Sequence, residues 1–450
     1  MTSKIQSYSE AFVWIWLPGE ASPVVAGRLA QDGPSLVFNY GQSYLERESG
    51  IAIYDKELPL QRGVLPLLKG LNIPGPIRDS APDAWGRRVL LNKRYGSKSS
   101  EMDPGSLSEL TYLLESGSDR IGALDFQESP KEYKPRGMEN VSLEELVTSA
   151  ELVEKGTPLP PDLEIALYHG SAIGGARPKA LVDDAGKKYI AKFSSSSDTY
   201  SVIKAEFIAM KLASLCGLNA ARVTQVKAAH RDVLLIERFD RILSPGGWQR
   251  KCMISALSLL ALDENIARYA SYQDFVEVIR KHFDHSSSTL RELFSRLVFN
   301  VLVGNTDDHA RNHAAFWDGK ILSLTPAYDI CPQMRTDNIA NQAMIIKDGN
   351  KKSQIKSCLE AADVFMLSRQ EALEIIERIL MGITTNWKQV CDEAEVSIVD
   401  KNIFMNRQFL NQYAFEGLSG EAAHFEKLVM DFKKRENPRP WGGDRPGVRG

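Results

Sequence analysis

A strongly apolar helix that leads directly into a polar loop is the feature that most constrains the fold of this chain. Residues 290–303 (LRELFSRLVFNVLV) carry apolar side chains at helical spacing and are followed by Gly304, a residue typical of helix C-termini. The next residues, 305–312 (NTDDHARN), are rich in carboxylate and carboxamide groups. Two apolar segments on either side of residues 318–319 predict a β-hairpin, which would return the chain to Asp329 beside the loop.

Three of these side chains have the spacing of a phosphoryl-transfer site. Asp307 and Asn312 are five positions apart. Kinase catalytic loops use an Asp and an Asn at this spacing, the Asp to accept the substrate hydroxyl proton and the Asn to bind Mg²⁺. Asp329 follows where a second metal-binding Asp is expected. The spacing is common by itself, however, and Asp307 with Asp308 could be only a loop or helix-capping cluster.

Two segments upstream predict a phosphate-binding site. The Gly-rich turn at residues 170–179 could bring backbone N–H groups to phosphates, although a turn that only joins two strands is the commoner explanation. Lys192 lies in an apolar strand, where kinase-like sheets place a phosphate-binding lysine. Glu206 lies in a largely apolar helix, so its carboxylate needs a partner, and Lys192 is the natural one. The alternative is that both residues lie on solvated faces.

A third segment predicts a hinge between two lobes. Residues 233–241 (VLLIERFDR) form a buried strand that ends in charged side chains. Backbone groups of Glu237 and Phe239 could bind adenine there, and the alternative is a core strand followed by a turn. The Gly-rich turn, strand lysine, helix glutamate, hinge, Asp–Asn loop and final Asp occur in the order found in kinases, and chance agreement of the whole order is small.

Composition excludes several functional classes. The chain has 450 residues, which predicts two or three domains, and its net charge of −3 gives no general attraction to nucleic acid or membranes. The five cysteines are dispersed without a CxxC pair, which predicts a reducing cytoplasm and neither zinc nor disulfides. No apolar run approaches about 18–20 residues and the N-terminus lacks a signal-peptide pattern, so we expect no membrane association.

Six short motifs resemble those of the HipA family of toxin serine/threonine kinases, over roughly residues 10–430. They are GGARPK at 174–179, IERFDR at 236–241, GNTDDHARNH at 304–313, LTPAYD at 324–329, LPLQRG at 58–63 and DAWGRR at 83–88. The resemblance implies that ATP and Mg²⁺ are bound. It implies a catalytic base at Asp307, Mg²⁺ ligands at Asn312 and Asp329, a phosphate-binding Lys192 positioned by Glu206, an adenine hinge at Glu237 and Phe239, and nucleotide contacts from Gly174, Gly175, Ala176 and Lys179.

The resemblance and the changes in composition together predict a two-lobed protein-kinase-like fold of the α+β class. The predicted segments are 1–128, the family's N-terminal subdomain; 129–162, a linker with a short helix near residues 143–155; 163–241, the β-rich ATP-binding core; 242–432, an all-helical catalytic lobe; and 433–450, a disordered tail rich in Pro, Gly and Arg.

The resemblance also implies partners. Family members are commonly encoded beside HipB, a helix-turn-helix antitoxin that binds the kinase and DNA, so we expect this chain to meet DNA only through such a partner. Known substrates in the family include aminoacyl-tRNA synthetases, whose phosphorylation halts translation. The expected substrate is therefore a protein, and the expected result of activity is inhibited growth.

Autoregulation is where the sequence departs from the family. Several members phosphorylate a Ser just before the Gly-rich segment, which ejects that segment from the ATP site. Aligned from Lys179, the usual acceptor position holds Ala172, and Ser171 is the remaining hydroxyl of the segment. We therefore expect phosphorylation on Ser171, with the serine run at residues 194–197 as a second candidate that is more simply explained as a flexible loop.

Two other functions fit parts of the sequence. A small-molecule phosphotransferase of the aminoglycoside or choline kinase type also uses the Asp–Asn spacing, but the N-terminal region and the GGARPK motif argue against it. A non-catalytic co-repressor acting with a DNA-binding partner is disfavoured by the intact catalytic set. His309 and His313 are expected to be structural, because Mg²⁺ prefers oxygen ligands.

Overall fold

The N-terminal region is built on an antiparallel sheet of four strands in the order β3-β2-β1-β4. The structure, a computed structural model, describes residues 8–137, 141–160, 163, 166–335 and 339–436. Alternate residues of the first strand are fully buried, because the period-two pattern of a strand directs them into one core. The elements are β1 (Glu10–Ile15), β2 (Val24–Asp32), β3 (Ser35–Tyr40), α1 (Gln42–Leu45), α2 (Gly75–Arg78), α3 (Ala84–Tyr95), α4 (Glu109–Glu115) and β4 (Leu124–Gln127).

A second antiparallel sheet of four strands follows, in the order β5-β6-β8-β7. Its elements are α5 (Leu143–Glu154), α6 (Ala166–Ser171), β5 (Lys179–Asp184), β6 (Lys187–Phe193), α7 (Val202–Leu215), β7 (Val223–Ala228) and β8 (Arg231–Glu237). Helix α5 confirms the short helix predicted in the linker and begins with a capping box between Ser142 and Glu145. Helix α7 is buried over most of its length, in agreement with its apolar sequence.

The C-terminal part is mainly helical, as predicted. Its helices are α8 (Ala256–Leu259), α9 (Tyr272–His282), α10 (Ser286–Val303), α11 (Ile355–Glu360), α12 (Arg369–Glu393), α13 (Ile398–Arg407) and α14 (Ala423–Glu436). Strands β9 (Arg241–Ser244) and β10 (Gly247–Arg250) pair with each other, and β11 (Cys252–Ser255), β12 (Ala314–Trp317) and β13 (Leu322–Leu324) form a three-stranded sheet. The β12–β13 hairpin confirms the prediction. The other strands correct the expectation that this part is exclusively helical, because β11 pairs with a segment far away in sequence.

Helix α14 corrects the expected start of the disordered tail. Residues 433–436 belong to this helix, and Lys433 Nζ donates a hydrogen bond to Met405 O at 2.7 Å. Residues 437–450 of the predicted tail lie outside the described residues, as do positions 138–140 and 161–162 of the predicted linker. The predicted segment boundaries stay predictions. Within the described ranges, no helix is both long and apolar enough to cross a membrane.

One buried carboxyl group of the N-terminal region gives the fold a pH dependence. Glu57 is 4% exposed and accepts a hydrogen bond from Gly75 N at 2.8 Å. Burial raises the pKa of Glu57 to about 7 from its usual 4.5. The folded state therefore favours the protonated form. The contribution of Glu57 to stability is complete below about pH 4.5 and is lost as the pH rises through about 7.

The substitution Glu57→Gln should therefore stabilise the protein above pH 7 and change little at pH 4. The upper limit of the gain in the free energy of unfolding is about 3.5 kcal/mol, from the pKa difference at about 1.4 kcal/mol per pH unit. Urea unfolding of the wild type and of Glu57→Gln, at pH 4 and above pH 7, measures this gain. Glu48→Gln, at an exposed position of the same region, is the matched control and should leave the pH dependence unchanged. An equal gain at pH 4 would contradict this account.

Candidate active site

The predicted catalytic loop begins at a glycine that no other residue replaces easily. Gly304 ends α10 with φ of +73°, in the left-handed region, and a Cβ atom there would lie 2.6 Å from Gln408 O. The loop turns sharply away from the buried helix as a result. Asp307 is exposed beyond it. Both hydrogen bonds that hold residue 307 use its backbone carbonyl, which accepts from His309 N at 2.9 Å and from Asn312 Nδ2 at 3.0 Å.

The neighbouring carboxylate has the opposite environment. Asp308 is 2% exposed and accepts a hydrogen bond from the Tyr272 hydroxyl, while its Oδ1 lies 2.9 Å from His313 Nε2. His313 is itself buried, in keeping with its predicted structural role. The hydrogen bonds of Asp308 and its partners hold the loop on α9, and they leave Asp307 as the one of the two carboxylates that faces solvent.

A contact of three charged side chains, two of them buried, forms the other half of the site. Lys192 Nζ in β6 lies 2.5 Å from Glu206 Oε1 in α7, which confirms the predicted pair, and it also contacts the carboxylate of Asp329. Lys192 and Glu206 are buried, whereas the side chain of Asp329 is 40% exposed. Burial alone would raise the pKa of Asp329, but the ammonium groups of Lys192 and Lys179 hold it far below its usual range. Asp329 is therefore ionised and open to the cleft.

The backbone at Asp329 is strained. Its φ of +58° is uncommon for a residue other than Gly, and such conformations persist where the surroundings fix them, often at functional sites. The preceding residues supply this support. Tyr328 Oη donates to Arg311 O in the catalytic loop at 2.7 Å, and Ala327 N donates to Asn219 O at 2.7 Å. The first bond connects the Asp329 segment to the catalytic loop, and the second connects it to the turn between α7 and β7.

Neighbouring charges also shift the ionisation of Asp307. Partial loss of solvent around its carboxylate raises the pKa of Asp307, the charge of His309 opposes this shift, and the charges of Asp329 and Asp308 add to it. A carboxylate with a raised pKa is a better proton acceptor. The structural role predicted for His309 stays a prediction, and its charge opposes the rise in the pKa of Asp307. Its Nδ1 atom is buried and has no hydrogen-bond partner among the described residues.

The Gly-rich segment, residues 170–179, ends at Lys179, which pairs directly with Lys192 between β5 and β6. Its Lys179 is 6% exposed and donates a hydrogen bond to Gly174 O at 2.5 Å. Gly175 has φ of +97°, and a Cβ atom there would lie 2.0 Å from Lys179 Nζ, so only Gly fits. Burial and the charge of Lys192 lower the pKa of Lys179. Ala176 follows in the same segment, and the structure gives no separate role to it.

The predicted phosphorylation site is not accessible in this structure. Ser171 is fully buried at the end of α6, where its hydroxyl donates to Tyr168 O at 3.1 Å and accepts from Gly117 N at 3.0 Å. Ala172 is buried as well. In the second candidate segment, Ser196 and Ser197 are exposed. Phosphorylation of Ser171 would first require the segment to leave its place.

The predicted hinge has a second role that the sequence did not reveal. Glu237 ends β8, and the Phe239 ring lies 5.8 Å from the Tyr328 ring, so the hinge contacts the Asp329 segment. Two other side chains of the IERFDR motif, Arg238 and Arg241, instead bind Asp119 of the N-terminal region, at 3.0 and 2.8 Å.

Asp240 completes this buried network. It contacts Arg238 and Arg241 at 2.8 Å each and accepts a hydrogen bond from Gly122 N at 2.8 Å. A polar cluster at residues 116–122 (SGSDRIG), between α4 and β4, was the available signal for Asp119. Its partners could not be identified from the sequence.

The structure therefore brings together most of the predicted site residues. Lys192, Glu206 and Asp329 are in direct contact, and Asp307 with Asn312 lies in the adjacent loop. Glu237 ends β8 at the predicted hinge, and its side chain pairs with Lys187 of β6 at 2.8 Å. The side chain of Ser171 binds Gly117 N of the N-terminal region instead of facing the other predicted site residues.

Comparisons with known proteins agree with this arrangement. The HipA N-terminal domain family matches residues 16–127, and the HipA-like C-terminal domain family matches residues 171–387. The serine/threonine-protein kinase toxin HipA of Shewanella oneidensis is 25% identical over 261 residues, covering 51% of this chain and 60% of that protein. Y4mE of Sinorhizobium fredii, named as a kinase, is 21% identical over 243 residues, covering 52% of this chain and 55% of that protein.

A solved structure extends the likeness over nearly the whole chain. It is the Shewanella oneidensis MR-1 complex of HipA, HipB and operator DNA, with a TM-score of 0.65 and 18% identity, covering 94% of this chain and 97% of that chain. At this identity the likeness shows the fold. The aligned parts of the two curated relatives span a little over half of their lengths. With both of its family domains matched in order and the fold shared throughout, the chain belongs to the HipA family.

Proposed function

We propose that this chain is an ATP- and Mg²⁺-dependent protein kinase that phosphorylates a Ser or Thr hydroxyl of another protein. The observation that carries the proposal is the contact of the buried Lys192 with both Glu206 and Asp329. In kinases, a strand lysine held by a helix glutamate pairs with ATP phosphates, and an Asp beside it binds the metal. The kinase names of the two curated relatives support the same reaction.

Each step of the transfer has a residue suited to it. Asp307 is exposed and has a raised pKa, so it can orient the substrate hydroxyl and accept its proton as the oxygen attacks the γ-phosphorus. Lys192, fixed by Glu206, neutralises charge on the α and β phosphates. The N–H groups of Gly174, Gly175 and Ala176 are available in a Gly-rich turn to bind phosphate oxygens. The bond from γ-phosphorus to the bridging oxygen breaks, and ADP leaves.

The donor atoms present fit Mg²⁺. Asn312 donates its Nδ2 group to Asp307 O at 3.0 Å, which directs Oδ1, an oxygen ligand, away from that bond. Asp329 offers an ionised carboxylate that is partly exposed. Mg²⁺ prefers such oxygen ligands and, when bound, neutralises charge between phosphate oxygens. We assign Asn312 and Asp329 as the protein ligands.

We further propose that the chain is the toxin of a toxin–antitoxin pair. The similar Shewanella structure contains HipB and operator DNA together with HipA. A HipB-like helix-turn-helix protein is therefore the proposed partner, and this chain would meet DNA only through it, in keeping with its net charge of −3. The proposed substrate is a cytoplasmic protein of translation, such as an aminoacyl-tRNA synthetase.

The experiment is phosphoryl transfer from labelled ATP, with and without Mg²⁺, by the purified chain in a bacterial extract. The wild type should label protein only with Mg²⁺. Lys192→Met should reduce labelling by about two orders of magnitude or more, because one positioned charge is typically worth that much to the transition state. Lys187→Met, in the same strand but exposed and paired with Glu237, is the matched control and should retain activity.

The same variants test the toxin role. Expression of the wild type and of Lys187→Met should slow bacterial growth, whereas Lys192→Met should not. Equal growth arrest by all three would mean that kinase activity is not its cause. Labelling of aminoglycosides or other small alcohols in place of protein would overturn the choice of substrate class.

A further inference from the structure

The N-terminal region holds the middle and the end of the Gly-rich segment through Trp85, in addition to the bond from Gly117 N to Ser171 Oγ at its start. Trp85, 2% exposed in the first turn of α3, donates its backbone N–H to Gly175 O at 3.0 Å and its indole Nε1–H to Lys179 O at 2.9 Å. These two bonds reach the middle and the end of the segment. They join parts of the chain that match two separate family domains.

The residues beside Trp85 fit closely against the same segment. A Cβ atom on Gly86 would lie 2.6 Å from Ser171 O, so the helix approaches the segment as closely as only Gly allows. A Cβ atom on Gly174 would lie 2.9 Å from Asp83 Oδ2. Asp83 immediately precedes α3, but its side chain makes no capping hydrogen bond, so the carboxylate is directed at the segment instead.

The residues that precede Asp83 in the chain, Arg78 and Asp79, bind the C-terminal part. Asp79 accepts hydrogen bonds from Ser255 N at 2.8 Å and Ser258 Oγ at 2.9 Å, at the start of α8. Arg78 donates to Leu262 O at 2.7 Å. Residues 78–86, here called the bridging segment, therefore connect the Gly-rich segment to the helical part that carries the catalytic loop.

We infer that the bridging segment is a positioning element for the nucleotide, with Trp85 as its main contact. It fixes the position of the Gly-rich segment relative to the catalytic loop. The backbone N–H groups of the Gly-rich segment are therefore already in place when ATP phosphates bind. Loss of this support weakens ATP binding more than it slows the transfer step, because the reacting groups Asp307 and Lys192 are held by other contacts. The inference rests on the proposed kinase function.

The test compares two Trp→Phe variants of the full chain. Trp85→Phe removes the bond to Lys179 O and keeps an aromatic ring. Trp14→Phe, in β1, removes an equivalent indole bond, to Ser129 O at 3.3 Å, away from the site. Trp85→Phe should raise KM for ATP about three- to tenfold, as expected for one buried hydrogen bond, with kcat within about twofold. Trp14→Phe should leave both constants unchanged.

Hydrogen exchange separates this inference from the proposed function. In protein without ATP, amides of residues 170–179 should exchange at least about threefold faster in Trp85→Phe than in the wild type, because local opening is easier. Gly86→Ala should act in the same direction, with Gly41→Ala, where the nearest atom to the new Cβ is 3.8 Å away, as its control.

Unchanged exchange and unchanged KM in Trp85→Phe would overturn the inference. A wild type that transfers no phosphate would overturn the kinase proposal, while the exchange result would still decide the role of the bridging segment.

Discussion

Replacing Asp307 by Asn should reduce phosphoryl transfer by about two to four orders of magnitude while leaving the fold intact. The substitution keeps the size of the side chain and removes the proton acceptor. Stability should be unaffected because the side chain is exposed and because His309 N and Asn312 Nδ2 bind the backbone carbonyl of residue 307. Single-turnover kinetics with saturating ATP, together with thermal unfolding, measure both expectations.

Asp308→Asn is the matched control, since it makes the same chemical change one residue away. Asp308 is buried and accepts from Tyr272 and His313. Its loss should lower the free energy of unfolding by about 1–3 kcal/mol, the usual penalty when buried hydrogen-bonding groups lose a charged partner. The rate per folded molecule should fall far less than in Asp307→Asn. An inactive but stable Asp308→Asn, beside an active Asp307→Asn, would shift the assignment of the base by one residue.

The second large effect is expected on stability, from Asp119→Ala. Asp119 is 7% exposed and contacts Lys188 at 3.0 Å, Arg238 at 3.0 Å and Arg241 at 2.8 Å. Burial alone would raise the pKa of Asp119, but the two guanidinium groups hold it well below its usual range. Removal of the carboxylate leaves buried cations with too few partners, which typically destabilises a protein by about 3–5 kcal/mol.

Asp183→Ala is the control for this experiment, because it removes a second partner of the same lysine. Asp183 lies 2.6 Å from Lys188, but its side chain is 50% exposed. Exposed ion pairs contribute about 0–1 kcal/mol, so this variant should unfold close to the wild-type midpoint. Urea unfolding at neutral pH compares the two. A similar decrease in the free energy of unfolding in both variants would mean that the stability of the buried ion-pair network does not depend on the Asp119 carboxylate.

The sequence predicted the local parts of the site well. The helix that ends at Gly304, the hairpin that leads back toward Asp329 and the contact of Lys192 with Glu206 are all present. Each of these has a signal within a short stretch of chain: helical periodicity before a glycine, two apolar runs around a turn, and a carboxylate in an apolar helix that requires a cation. The order of these segments along the chain, which is the order found in kinases, supplied the prediction that they form one site. The catalytic and metal-binding roles stay predictions until the variants are measured.

The interpretation of the IERFDR motif shows where such reasoning stops. The motif was expected to serve the hinge, and the structure uses Arg238 and Arg241 to hold Asp119 of the N-terminal region. A pattern of residues indicates that a charge will be buried, but it does not indicate which distant segment neutralises that charge. The burial of Ser171, whose hydroxyl binds Gly117 N, could not be predicted for the same reason.

By itself, the sequence determined which short segments fold into helices, strands and turns, and which of them carry carboxylates, amides and lysines suited to phosphate chemistry. Those features depend on periodicity and side-chain type, which act over a few residues. Only the tertiary structure decided that Asp308 is buried while Asp307 faces solvent, that Trp85 binds the Gly-rich segment and that β11 joins the β12–β13 hairpin. These outcomes depend on contacts between residues far apart in the chain, which form only when the whole core packs.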